Sequence, residues 1–125
     1  LDAFDEALKN DTYGGKTPEE TLAMFIDALK KGDIELASKY FALETNPNDP
    51  NYLTRKTWED GLAQAKAEER MVQLIGLLES VAPDTENVLG EKDYKFVLKD
   101  KSGAILVYVN MELNEKSGIW KIESL

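Results

Sequence analysis

The fold is decided by the C-terminal stretch from residue 94 to residue 122, YKFVLKDKSGAILVYVNMELNEKSGIWKI. Along much of this stretch the apolar residues recur with a period of two, which is the pattern of β-strands with one buried face. Residues 100–103 and 114–118 are rich in turn-forming residues and divide the stretch into three strands. We therefore predict a three-stranded antiparallel meander, with a short fourth strand over residues 86–89 as an optional addition.

Upstream of the sheet, the clearest local signal is the sequence Thr17-Pro18-Glu19-Glu20. In such a capping box the threonine side chain accepts from the Glu20 amide, and the Glu20 carboxylate reaches back to the Thr17 amide. Proline suits the first helical position. Gly32 offers a left-handed stop, so a helix over residues 18–31 is predicted. Its apolar stripe, expected to pack on the sheet, consists of Leu22, Phe25, Ile26 and Leu29.

Further helices are expected between this helix and the sheet. Asp33 is placed to cap a second helix directly after the first. Residues 44–52, ETNPNDPNY, read as a turn-rich loop, although their many oxygen atoms leave a calcium loop conceivable. Thr54 or Thr57 then caps a helical stretch that ends before Pro83. Its apolar stripe changes phase across residues 68–70, which indicates a break into two helices.

These patterns define an α+β fold, with N-terminal helices packed on one face of a curved three- to four-stranded antiparallel meander. Residues 17–125 are expected to form a single domain, and residues 1–16 a linker or a short N-terminal helix. The first residue is not methionine, so we expect an upstream segment that carries any signal or anchor.

Composition excludes several function classes. The 125 residues contain no cysteine and no histidine, which removes cysteine and histidine nucleophiles, zinc sites built from them and Ser-His-Asp triads. The net charge is −9, so binding to nucleic acid is not expected. The acidity is uneven, because residues 1–50 carry 11 acidic and 5 basic side chains, whereas residues 91–125 carry six of each. No metal or other cofactor is predicted.

The helix signals and the terminal strand together resemble the NTF2-like (cystatin-like α+β) superfamily, and most of all small domains of uncharacterised bacterial envelope lipoproteins. The resemblance rests on residues 17–22 (TPEETL), 25–33 (FIDALKKGD), 37–41 (ASKYF) and 118–122 (GIWKI). It implies an extracytoplasmic domain that reaches the membrane only through an upstream anchor. It also implies a non-catalytic binding or assembly role or, alternatively, a small-molecule pocket with weak lyase or isomerase activity.

Two sets of candidate site residues follow from the strands. The best enzymatic constellation combines tyrosine donors with a carboxylate base, using Tyr94, Tyr108, Tyr40 and Glu112, although each of these residues has an ordinary structural role as an alternative. Trp58 and Trp120 are likewise more typical of a core than of a ligand site. The middle strand is apolar on both faces, so we predict a ligand or partner face, used for homodimerisation, formed by Leu106, Tyr108, Tyr94 and Glu112. The competing prediction is that residues 1–13 cover this face with Phe4 and Leu8.

Overall fold

The computed structural model describes residues 2–43, 54–86 and 90–125, and within them helices precede a single antiparallel sheet. No helix of these described residues is long and apolar enough to cross a membrane. The predicted turn loop over residues 44–52 lies outside the described residues. The helices are α1 (Asp2–Asn10), α2 (Pro18–Lys30), α3 (Ile34–Ser38), α4 (Arg55–Ala67) and α5 (Met71–Glu79).

The helix ends follow the local signals closely. The Thr17 hydroxyl accepts from the amide of Glu20 at 3.1 Å, as predicted. The second half of the predicted capping box is wrong, because the Glu20 carboxylate accepts from the amide of Lys16, at 2.8 Å, instead of Thr17. Thr54 caps α4. The predicted break between α4 and α5 is confirmed, with Glu69 in the left-handed conformation at φ 59°.

The sheet has four strands in the order β1-β2-β3-β4. Neighbouring strands are antiparallel, so the chain forms the predicted meander. The added strand is Ala82–Pro83, immediately after α5, and pairs with Val97 and Phe96. Of the predicted location at 86–89, Glu86 lies in a bend, and residues 87–89 lie outside the described residues. The strands are β1 (Ala82–Pro83), β2 (Asp93–Lys99), β3 (Ile105–Asn114) and β4 (Ile119–Ser124).

The core lies between the helices and the sheet face that we call the inner face. Phe25 is fully buried and meets Phe41 edge to face, with ring centroids 5.5 Å apart. Phe41 in turn stacks on Trp58 at 4.8 Å, which confirms a core role for this tryptophan. The predicted packing of the α2 stripe is confirmed. Its buried members share one apolar cluster with residues of the strands, namely Leu22, Phe25, Leu29, Phe96, Val109, Met111 and Ile122.

The edge of β4 that does not pair with β3 is occupied by two segments of the N-terminal half. The Ile122 amide donates to the Tyr40 carbonyl oxygen at 2.9 Å, and the Ala42 amide donates to the Ile122 carbonyl oxygen at 2.8 Å. The Trp120 amide donates to the carbonyl oxygen of Gly15 at 2.9 Å. Since an unpaired strand edge invites association, these contacts remove one edge of the sheet as an interaction surface.

Candidate functional site

The strand register divides the sheet into two chemically different faces. Tyr94 pairs with Met111, and Phe96 pairs with Val109, so these side chains lie on the inner face against the helices. The residues between them belong to the opposite face, which we call the outer face. It carries Asp93, Lys95, Val97, Lys99, Tyr108, Asn110, Glu112 and Lys121, as their pairing shows.

One end of the outer face exposes large apolar side chains. Ile105, Leu106 and Tyr108 are 46%, 58% and 41% exposed, and we call these three residues the apolar patch. Strands β2 and β3 pair through a β-bulge at this end. Leu98 pairs with Val107 and Lys99 pairs with Ile105, so Leu106 is the extra residue on β3. Bulges twist a strand and re-aim its side chains, and this one lies within the patch. Ile105 pairs with Lys99, which assigns it to the same face as Tyr108.

The predicted partner face is therefore only partly assembled. Tyr108 and Glu112 lie on the outer face with Leu106 near them, but Tyr94 lies on the inner face, so its assignment to this face is wrong. The physical reason is parity, because Tyr94 is opposite Met111, three residues from Tyr108 along β3. Because Tyr94 lies on the opposite face from Tyr108 and Glu112, the residues of the proposed enzymatic constellation are not brought together. Its remaining member, Tyr40, is buried at the end of α3, against β4.

Carboxylates crowd the outer face beyond Asn110. Glu112 is opposite Asp93 in the register, and Glu123 is the extra residue of a bulge in β4. Burial raises the pKa of Glu112, and the negative charges of Glu123 and Asp93 raise it further. Burial and Asp93 also raise the pKa of Glu123. Within the described parts of the chain, no cluster of three or more acidic side chains is arranged to hold a metal ion.

The far end of the outer face contains a buried ion pair. Lys121 is 2% exposed, and its ammonium donates to Asp11 at 3.1 Å, to the Lys39 carbonyl oxygen at 2.7 Å and to the Tyr13 carbonyl oxygen. Arg55 lies 3.5 Å from the other Asp11 oxygen. Burial lowers the pKa of Lys121 to about 8, although the Asp11 charge acts in the opposite direction. This cluster joins the N-terminal segment to β4 and to the chain around α3.

Next to this cluster, α1 and the end of β3 line a half-open cavity of about 230 Å³. Phe4 and Leu8 of α1 are half-buried, and the Leu8 carbonyl oxygen accepts from the Asn114 side chain at 2.9 Å. The cavity reaches Glu112 and Lys121. The N-terminal helix thus meets the sheet at the far end of the outer face, while the apolar patch stays exposed.

A second concavity, of about 520 Å³, lies on the other side of the sheet, between the start of α2, strands β1 and β2, and residues 84–85 and 90–91. We call it the aromatic groove. Tyr94 and Trp120 line it and meet edge to face, with centroids 6.4 Å apart and ring planes at 74°. Burial raises the pKa of Tyr94, and the neighbouring Glu19 carboxylate raises it further. Trp120 also packs against the core, as its sequence pattern predicted.

Sequence reasoning missed the buried Lys121–Asp11 pair. Lys121 stands between Trp120 and Ile122, so alternation alone assigns it to a wet face. Its burial arises because Asp11 and the carbonyl oxygens of Tyr13 and Lys39 surround its ammonium, which no local pattern reveals. Asp11 follows a helix of ordinary composition and carries no signal of its own.

No known family model matches this sequence, and no curated protein or solved structure shows significant similarity to it. The structure therefore defines the class of the protein as an α+β domain with N-terminal helices on a four-stranded antiparallel sheet. It assigns no family.

Proposed function

We propose that this protein is a non-catalytic binding or assembly domain that associates with a second copy of itself through the apolar patch. The observation that carries the proposal is the patch itself. Ile105, Leu106 and Tyr108 expose apolar surface side by side, on a protein whose net charge is −9. Contiguous exposed apolar surface on a small domain marks an interaction site.

A second copy fits because the surroundings of the patch carry little net charge. Lys99 lies in the row of Ile105, and its ammonium is paired with Glu86 at 2.8 Å. In a two-fold dimer each patch faces the same patch of the partner, so the exposed apolar side chains meet their own counterparts, and Glu112 and Asp93 lie away from this contact. Residues 91–125 carry six acidic and six basic side chains, so repulsion between two such faces is weak.

Sedimentation velocity over a range of concentrations up to about 100 μM tests the association, which mass action makes concentration-dependent. Leu106→Ser is expected to weaken it about tenfold or more, since two leucine side chains lose their burial per dimer. Val72→Ser is the matched control, because Val72 is 82% exposed on α5, away from the sheet face. A strict monomer, or equal effects of the two variants, contradicts the proposal.

The location at the bacterial cell envelope is part of the same proposal and is supported by the resemblance of residues 17–22, 25–33, 37–41 and 118–122 to domains of envelope lipoproteins. Fusing the full-length gene product to a reporter that is active only outside the cytoplasm tests it. A purely cytoplasmic signal contradicts this part and leaves the self-association unaffected.

The small-molecule alternative is supported by the cavity of about 230 Å³ beside α1, whose lining combines apolar side chains such as Phe4 and Leu8 with a half-buried carboxylate at Glu112. A binding screen followed by amide chemical shifts of α1 and β3 tests it. Ligand-induced shifts confined to these elements favour the alternative.

A further inference from the structure

We propose that the aromatic groove binds an organic cation, of the chemical class of alkylated ammonium compounds. The groove holds two aromatic rings and carboxylates on its lining, and its volume of about 520 Å³ is within the range of small-molecule sites. This site lies on a different part of the molecule from the apolar patch and does not depend on the self-association proposed above.

The aromatic part supplies the recognition of an alkylated cation. Tyr94 and Trp120 are both half-buried, and their ring planes meet at 74°. Two rings that meet at a wide angle present a corner of aromatic surface. A cation whose charge is covered by methyl groups loses little hydration there and is attracted by the negative ring faces.

The charged side chains around the two rings include carboxylates, whose negative charge attracts a cation. Glu19, Asp84 and Glu91 line the groove together with the rings. Lys95 also lies at its border, but its ammonium is directed to the outer face, 5.3 Å from the centroid of the Tyr108 ring. The positive end of α2 adjoins the groove, and the Glu19 carboxylate in its first turn offsets that partial charge.

The same features argue against an anion and against a metal ion. An anion would meet carboxylates on the lining of the groove and gain only the amides at the start of α2. A hard metal cation needs several converging oxygen ligands, and no such cluster of carboxylates exists among the described residues. A soft, weakly hydrated organic cation uses both the aromatic and the acidic parts.

Tryptophan fluorescence offers a direct test, because the sequence has two tryptophans and only Trp120 lines the groove. The Trp58→Phe variant keeps an aromatic ring against Phe41 and leaves Trp120 as the single reporter. Choline chloride is the probe, and 3,3-dimethylbutan-1-ol is its neutral isostere, with the same shape and no charge. Sodium chloride holds the ionic strength constant throughout the titrations.

We expect a saturable change in Trp120 fluorescence with choline, and binding of the neutral isostere about tenfold weaker. In the same background, Glu19→Gln is expected to weaken choline binding about threefold or more. Glu35→Gln is the matched control, because it removes one carboxylate from an exposed position on α3 and is expected to have little effect.

Three results overturn the proposal. One is the absence of a saturable change with choline, and another is equal affinity for choline and the alcohol, which means that the groove recognises shape alone. The third is an equal effect of Glu19→Gln and Glu35→Gln, which means that net charge and not the groove attracts the cation. Thermal melts of each variant show whether a loss of binding reflects a loss of folding.

Discussion

Removal of the Lys121 ammonium gives the sharpest test of how the N-terminal segment is attached to the sheet. In Lys121→Met an apolar side chain of similar length replaces a lysine that is 2% exposed. The Asp11 carboxylate then loses the ammonium that donates to it at 3.1 Å, while Arg55 stays 3.5 Å from it. The carbonyl oxygen of Tyr13 loses the same donor.

The expected loss is large for a domain of this size. Removing one partner of a buried ion pair costs about 3–5 kcal/mol, because the groups that it bonded stay buried without a donor, here the Asp11 carboxylate and the carbonyl oxygens of Tyr13 and Lys39. A domain is stabilised by about 5–15 kcal/mol in total, so the variant is expected to unfold at a much lower urea concentration. Lys92→Met is the matched control. Lys92 pairs with Glu115 at 3.0 Å, but both side chains are more than half exposed, so the expected loss is about 0–1 kcal/mol.

A double-mutant cycle in urea shows whether the loss belongs to the pair. Asp11→Asn removes the negative charge and keeps the oxygen that accepts from the Tyr13 amide at 3.1 Å. The double variant leaves neither charge unpaired, so its free energy of unfolding is expected to exceed the additive value by about 1–3 kcal/mol. Additive losses, or a loss for Lys121→Met as small as that for Lys92→Met, refute the reasoning.

Three further predictions test the core, the β4 edge and the titration of the buried lysine. Phe25→Ala is expected to cost about 3–5 kcal/mol, against about 1 kcal/mol for Thr17→Ala, so equal small losses in urea melts would show that α2 is peripheral. Gly14→Ala is expected to lower the melting temperature because its Cβ would lie 2.4 Å from a β4 carbonyl oxygen, whereas Gly76→Ala, with open space around it, is expected to raise it. The pKa of Lys121 is lowered to about 8, so the unfolded chain holds its proton up to higher pH than the folded chain. Stability relative to the Lys121→Met variant is therefore expected to rise with pH above about 8, and urea melts showing a flat or falling difference would contradict this.

The helices were predictable from sequence because their signals are local. Thr17 caps a helix whose stripe and stop lie within 15 residues of it, and the phase change near Glu69 marks the junction of α4 and α5. The predicted α+β class is confirmed. It was predictable because the switch from helical to strand periodicity is equally local. The sequence did not indicate that the Glu20 carboxylate accepts from the Lys16 amide and not from the Thr17 amide, since the two amides are neighbouring donors.

The candidate site was less predictable because it depends on register and on contacts between distant segments. Tyr94 and Tyr108 both look like strand residues, and only the pairing of Tyr94 with Met111 shows that they point to opposite faces. The bulge that contains Leu106 shifts the register by one residue, and alternation alone gives no sign of it. The pair of Lys121 with Asp11 joins residues 110 positions apart, so no window of sequence contains both.

The two proposed sites use opposite faces of one sheet, and this makes them separable by experiment. Leu106 belongs to the exposed patch beside Tyr108, whereas Trp120 lies on the inner face with Tyr94. Leu106→Ser is therefore expected to weaken self-association and leave the choline titration unchanged. A variant that alters both properties would mean that the sheet itself had been distorted, because the strands are the element that the two surfaces share.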